Sequence, residues 1–269
     1  MATKKAAAPA KTAAAPAKRA SARSANVFLG VDVGGSGIKG APVDITTGEL
    51  VQPRVRLVTP EGAQPDAVDE VIGQVVTSFT TTGAVGLTFP GVIIGGTVNT
   101  AANMGKDWIG VNIAEKVGAR IGRPVRALND ADAAGIAEMR FGAGRDEGGV
   151  VIMITFGTGI GCAVFHDGVL LPNTELGHLE LDGKDAEETA AARVRDDKGL
   201  SWKDYAKRVE KYLRHLDQLL WPDLVIVGGG VSKKADQFLP HVKTRCKVVP
   251  AKLFNDAGIV GAALAAAGR

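Results

Sequence analysis

Cysteine is scarce in this chain of 269 residues: there are two, Cys162 in an apolar stretch and Cys246 in a basic one, with no C-x-x-C pair. That excludes a disulfide-stapled scaffold and points to a reducing, cytoplasmic setting. Long hydrophobic runs are missing too. No uninterrupted apolar stretch approaches the roughly 18 to 20 residues that cross a bilayer. The N-terminus carries charges but no hydrophobic signal core, so no membrane association is expected. The third shortage is local. Residues 1–26 hold no acidic side chain, only six basic ones (Lys4, Lys5, Lys11, Lys18, Arg19 and Arg23) in an Ala/Pro/Ser/Thr-rich stretch. Such a tail cannot build a core and is expected to be disordered. Subtracting its +6 from the chain's +3 leaves the body at −3, so no specific nucleic-acid surface is indicated there.

What is present is an alternating α/β pattern, 45% hydrophobic and long enough for two lobes with real cores. The apolar run Val27 to Val31 delivers Asp32 into the turn Gly34-Gly35-Ser36-Gly37, with Lys39 close behind. Backbone N–H groups in such a turn can crowd onto a phosphate. The letters Gly35 to Gly40 also match the G-x-G-x-x-G of dinucleotide folds. That motif must open a helix, whereas here Pro42, β-branched residues and Thr47-Gly48 favour a second strand. A similar arrangement recurs at Val150 to Phe165, around Gly157-Thr158-Gly159. Two such hairpins point to two similar lobes with phosphates held between them. Either turn alone is equally at home as a plain hairpin connection.

Further motifs follow in order: Asn129-Asp130-Ala131-Asp132, Glu175-Leu176-Gly177-His178 and Val227-Gly228-Gly229-Gly230-Val231. With the two glycine hairpins, their order and spacing resemble those of ROK-family sugar kinases, and within that family the branch of bacterial polyphosphate glucokinases. The resemblance runs from Val27 to the C-terminus. It implies a two-lobed actin-like (ribonuclease H-like) α/β fold with the active site in the interlobe cleft. The expected division is a tail at 1–26, a small lobe at 27–130 completed by 255–269, and a larger lobe at 131–254. The resemblance also implies transfer of a phosphoryl group to the 6-hydroxyl of glucose from inorganic polyphosphate, and from ATP, with Mg²⁺, by a cytoplasmic homodimer. An ATP-only kinase of another hexose or N-acyl amino sugar is the alternative. A sugar-sensing regulator would need a DNA-binding domain, which the short tail does not suit.

The same resemblance distributes roles. Asp130 would be the general base, and Asn103, Asn129, Glu175 and His178 would line the sugar pocket. Asp32, Gly34, Gly35, Ser36, Gly37, Lys39, Gly157, Thr158, Gly159, Gly229 and Gly230 would meet the phosphate donor, with Asp32 holding Mg²⁺ directly or through water. Read without the family, Asp130 is as well suited to capping a helix N-terminus. Many family members continue after the histidine with a Cys-rich zinc motif; here Leu179 to Glu187 has no cysteine, so no zinc is expected. That departure leaves the second sugar-site glutamate open, with Glu180 preferred over Glu187. Finally, Lys203, Lys207, Lys211 and Arg214 share one face of a helix whose opposite face carries Val209, Tyr212, Leu213, Leu216, Leu219 and Leu220. The row is either a track for polyphosphate, which Lys233, Lys234 and the basic residues from Lys243 to Lys247 would extend, or a solvated face.

Overall fold

Apolar strand, glycine turn, strand is how the chain begins. In the computed structural model, which describes residues 25–101 and 104–268, β1 (Val27–Gly34) pairs antiparallel with β2 (Gly37–Asp44) through the two-residue turn Gly35-Ser36. No helix opens there, so this G-x-G-x-x-G is not a dinucleotide motif. Short strands β3 (Glu49–Leu50) and β4 (Val55–Leu57) both pair with β2. Helix α1 (Pro65–Thr77) starts with Pro65 at its first position, where a missing N–H costs nothing. It buries Val68, Ile72 and Val75 against the sheet. The fully buried β5 (Val85–Phe89) lies parallel to β1, and a small hairpin of β6 (Ile93–Ile94) and β7 (Thr97–Val98) follows. Helix α2 (Ile113–Ile121) is capped by the Asn112 side chain and stopped by Gly122 in the left-handed region. Then β8 (Val125–Asn129) runs parallel to β5 and feeds directly into α3 (Asp130–Phe141).

The second half repeats the plan. Strands β9 (Val150–Phe156) and β10 (Ile160–His166) form an antiparallel hairpin around Gly157-Thr158-Gly159, and β11 (Val169–Leu171) extends it at the edge. A two-stranded ribbon, β12 (Glu180–Leu181) and β13 (Lys184–Asp185), turns through Asp182-Gly183, both with positive φ as a tight hairpin requires. Short helices α4 (Glu187–Ala190) and α5 (Ala192–Asp197) lead to α6 (Trp202–Leu220). Ser201 caps α6, accepting from Asp204 N at 3.1 Å. Its apolar stripe, Tyr205, Val209, Tyr212, Leu213 and Leu216, is wholly buried against the second sheet and Leu220 packs against it half-buried, while Leu219 is exposed. Next come β14 (Leu224–Gly228), α7 (Ala235–Phe238), β15 (Lys247–Pro250) and α8 (Ala257–Ala266).

The two sheets share one topology. The order β2-β1-β5-β8 in the first matches β10-β9-β14-β15 in the second, each an antiparallel hairpin continued by two parallel strands. Between the sheets lie α3 and α8, around which a third apolar cluster forms from Ala41, Val43, Met153, Phe165, Ile259 and Val260, among others. Backbone contact makes this sandwich thin. A Cβ at Gly30 would overlap the Ile259 carbonyl, one at Gly86 the Ala262 carbonyl, and one at Gly261 the Ala133 carbonyl. Gly86→Ala is accordingly expected to cost about 1–3 kcal/mol by overpacking. Gly148→Ala, where the nearest atom is at ordinary contact distance, should leave the melting temperature in place. Equal melting of the two variants would contradict this account of the α8 interface.

Candidate active site

Strand ends bring the polar residues together. A cleft of about 670 Å³ opens between the lobes, bordered by Asp32, Asn129, Asp130, Glu175, His178 and Glu187, and by the glycines of three turns. In α/β sheets this is where ligands are found, outside the carboxyl ends of parallel strands. A larger, more open depression of about 970 Å³ lies next to it, but among the described residues it has just two lining carboxylates, Glu49 and Asp256, the second of them paired with Arg54. The chemistry therefore belongs to the smaller cleft.

Asn129 and Asp130 sit where β8 becomes α3. The helix cap is Asn129, not Asp130: its Oδ1 accepts from Ala131 N (2.7 Å) and Asp132 N (3.0 Å), while its Nδ2 donates to Gly91 O (3.1 Å). Expected as a sugar ligand, Asn129 borders the cleft but spends its amide inside the protein. Asp130 is thereby released from capping and keeps a local bond, from Ala131 N at 2.9 Å. Burial pushes its carboxyl up to about 7, and the Asp32 and Glu175 charges add to the rise against that backbone bond. Asp132 is buried below the cleft surface rather than lining it. Burial raises it to about 6, although its Oδ2 accepts from Asn173 N at 2.8 Å.

Asp32 has both oxygens engaged. Oδ1 accepts from Thr88 Oγ1 (2.7 Å) and Oδ2 pairs with Lys39 Nζ (2.7 Å), which also donates to Asn255 O. Thr88 was missed in the sequence; a hydroxyl in an otherwise apolar, fully buried strand was the available signal. Around Asp32 the three glycine turns converge. Gly229 has φ 76° and presses against the Phe156 backbone, so only glycine fits. Gly157 and Gly230 differ: a Cβ at either would meet no protein atom within 4 Å. Of the residues expected at the donor, Gly34, Gly35, Lys39, Gly157, Thr158, Gly159, Gly229 and Gly230 line the cleft. Ser36 and Gly37 do not. They lie under Arg56, whose guanidinium donates to Ser36 O and covers Gly37.

On the opposite side, Glu175 and His178 converge because Leu176–His178 is a single 3₁₀ turn, leaving His178 Nε2 3.9 Å from Glu175 Oε2. His178 Nδ1 is 2.8 Å from Asp185, and that bond raises the imidazole's pKa. Glu175 is also raised, chiefly by burial. Glu180, the preferred second glutamate of the sugar pocket, does not border the cleft, whereas the alternative Glu187 does. The β12–β13 ribbon turns Glu180 outward, and Glu187 enters the cleft instead, its Oε2 accepting from Ile160 N at 3.2 Å. Arg193, also missed, borders the cleft with no hydrogen-bond or ion-pair partner for its guanidinium among the described residues. Asn103 lies outside the described residues, as does the tail through residue 24. The α6 row does not reach the cleft. Lys207 pairs with Asp204, Lys211 with Asp182 and Arg214 with Glu210, and with Lys203 they are absent from its lining.

Comparison with known proteins decides the class. Residues 28–199 match the model of the ROK family. The chain belongs to the ROK family. It is 52% identical over 238 residues to the polyphosphate glucokinase of Mycobacterium tuberculosis, covering 88% of this chain and 90% of that one. Among solved structures, the inorganic polyphosphate/ATP-glucomannokinase from Arthrobacter sp. strain KM superposes with a TM-score of 0.86 at 48% identity, over 90% of this chain and 98% of its own. A ROK family glucokinase from Streptomyces griseus, in complex with glucose and AMPPNP, does so at 0.79 and 25%, over 90% and 100%. The paired sheets are thus the two lobes of the actin-like sugar kinase fold.

Asp130 yields a check independent of activity. Because its folded pKa, about 7, lies above the unfolded value near 3.8, the native state holds the extra proton between those values. Its contribution to stability is present at the acid end of that window and lost as the pH rises through 7. Asp130→Asn should therefore melt above the unaltered protein at pH 8, with the gain shrinking as the pH falls towards 4. A variant that melts lower at pH 8 would contradict the burial argument.

Proposed function

We propose that this protein transfers the terminal phosphoryl group of inorganic polyphosphate, or of ATP, to the 6-hydroxyl of glucose, with Asp130 as general base. The observation that carries the reading is Asp130 itself, a carboxyl raised to about 7 in the interlobe cleft. On one side of the lining are Glu175, His178 and Glu187, and on the other are open glycine turns. The activity is that of the Mycobacterium tuberculosis and Arthrobacter relatives, as their names give it.

A sugar hydroxyl is both donor and acceptor, so its site needs convergent groups of both kinds. Glu175 and Glu187 supply acceptors, and His178, oriented through Asp185, presents Nε2. Asp130 takes the proton of the attacking hydroxyl as the new P–O bond forms. The bond to the bridging oxygen of the donor breaks, and the shortened polyphosphate or ADP leaves with that oxygen. Charge building on the transferred group meets the backbone N–H groups of the Gly34-Gly35 turn and of Thr158 and Gly159, the Gly157 N–H being donated to Gly159 O within its own turn. The empty space beside Gly157 and Gly230, where a Cβ would meet no protein atom, leaves room for phosphate oxygens.

Mg²⁺ fits this arrangement as a hydrated ion carried by the donor phosphates. Among the described residues no three His, Cys, Asp or Glu side chains form a metal cage, and both Asp32 oxygens are already engaged. Asp32 would hold such an ion through water, as Mg²⁺ in phosphoryl-transfer sites commonly permits. The ion would neutralise charge on the transferred group. From the family resemblance we also carry forward a cytoplasmic homodimer, and the buried free thiols of Cys162 and Cys246 suit a reducing compartment.

The direct test measures glucose 6-phosphate formation with Mg²⁺, long-chain polyphosphate against ATP under matched conditions. Product from ATP alone would remove polyphosphate from the proposal. Asp130→Asn is expected to lower kcat by about 10²–10⁴-fold while glucose still binds. In the unaltered enzyme, kcat/KM should rise through a limb near pH 7 as Asp130 loses its proton. Near-normal turnover in Asp130→Asn would remove Asp130 as the base.

A further inference from the structure

A polymer of many phosphates outgrows a cleft of about 670 Å³ that must also admit the sugar. The tail of the donor therefore has to leave, and its path must be bordered by positive charge that no protein carboxylate has already neutralised. Two basic features compete for this part. The row on α6 is the main one visible in the sequence, where Lys233 figures only as an extension of it. Its Lys207, Lys211 and Arg214 are ion-paired with Asp204, Asp182 and Glu210, and they border a separate depression of about 360 Å³ that shares no residue with the cleft.

The other feature is the open depression of about 970 Å³. It meets the cleft at Phe254 and Asn255, which border both. Lys233 and Lys252 stand on it, exposed, and neither ammonium has an ion-pair or hydrogen-bond partner among the described residues. Arg54 is there as well, but its 2.7 Å pair with Asp256 neutralises it and Glu49 also borders the groove, so the unpaired positive charge is that of Lys233 and Lys252. Lys233 follows three residues after Gly230 of the cleft's own glycine turn, and Lys252 directly follows Ala251 of the cleft wall. The cations thus continue the two chain segments that already flank the donor end. Phe254 at the boundary has φ 46°, a conformation costly for a bulky residue, and its ring is exposed. The junction is therefore a shaped rim and not a featureless edge.

We propose that the groove bordered by Lys233, Lys252 and Arg54 is the exit channel for a polyphosphate donor and binds the phosphates that lie beyond the reacting end. The proposal rests on the functional reading above and deepens it. A donor of three phosphates stays within the cleft and does not use the groove. A long chain does, and gains affinity from it.

The test is the double charge reversal Lys233→Glu/Lys252→Glu in the full chain, assayed for glucose phosphorylation with long-chain polyphosphate, tripolyphosphate and ATP. The KM for long chains is expected to rise about 10-fold or more, with kcat little changed and a shallower salt dependence. The KM for ATP and tripolyphosphate should stay within about 2-fold, which also shows that the variant is folded. The reversal Lys207→Glu/Lys211→Glu on α6 should leave all three donors alone. Equal changes for every donor, no change for long polyphosphate, or a long-chain defect arising from the α6 variant instead would each overturn the proposal. If the unaltered protein makes no product from polyphosphate but does so from ATP, the functional reading fails first and the channel falls with it.

Discussion

The close approach of α8 to the backbones around it is the constraint on which the rest of this structure depends. Helix α8 touches β1 at Gly30, β5 at Gly86 and α3 at Gly261, each time carbonyl against glycine. Side chains at these positions would hold the first sheet off the helix pair and widen the gap between the sheets. The same helix start governs the phosphate end of the cleft. Gly258, in its first turn, faces the Asp32 carboxylate with no room for a Cβ. Packing and site geometry therefore share atoms, and the lobes cannot be re-spaced without moving Asp32.

Within that frame, the four carboxylates of the cleft are differentiated by their partners. Asp32 has a lysine and a threonine hydroxyl, Glu187 has a backbone N–H, and Glu175 faces an imidazole. Asp130 has only backbone N–H donors, that of Ala131 and its own, and sits near two like charges. A proton shared among these groups is therefore held best by Asp130, and the cause is its surroundings. The cap supplied by Asn129 is part of this arrangement. Had Asp130 served as the N-cap, the helix N–H groups would have stabilised its anion and lowered its affinity for a proton.

Much of this was legible in the chain. The glycine turns between apolar strands, the amphipathic α6 and the Glu-x-x-His motif all depend on neighbours within a few residues, and local pattern carried them. What local pattern left open shares a physical origin. Glu180 and Glu187 are both acidic residues shortly after His178, and the fold of a ribbon held by β-pairing decides which of them turns inward. The four cations of α6 do share a face, but their carboxylate partners include Asp182 on that ribbon, 29 positions away in sequence. Thr88, bonded to Val33 N and Asp32, and Asp185, bonded to His178, act through contacts that no local spacing announces.

By itself, then, the sequence determined the inventory: two repeated hairpin units, the order of the motifs, and the presence of a carboxylate suited to the mouth of a helix. These are consequences of side-chain period, turn chemistry and capping preference, which act along the chain. Only the tertiary structure decided which carboxylate is buried without a cation, which asparagine is consumed as a cap, and which lysines remain unpaired beside the cleft. Those properties depend on desolvation and on charges brought together from distant segments, and neither exists until the two sheets close on α3 and α8.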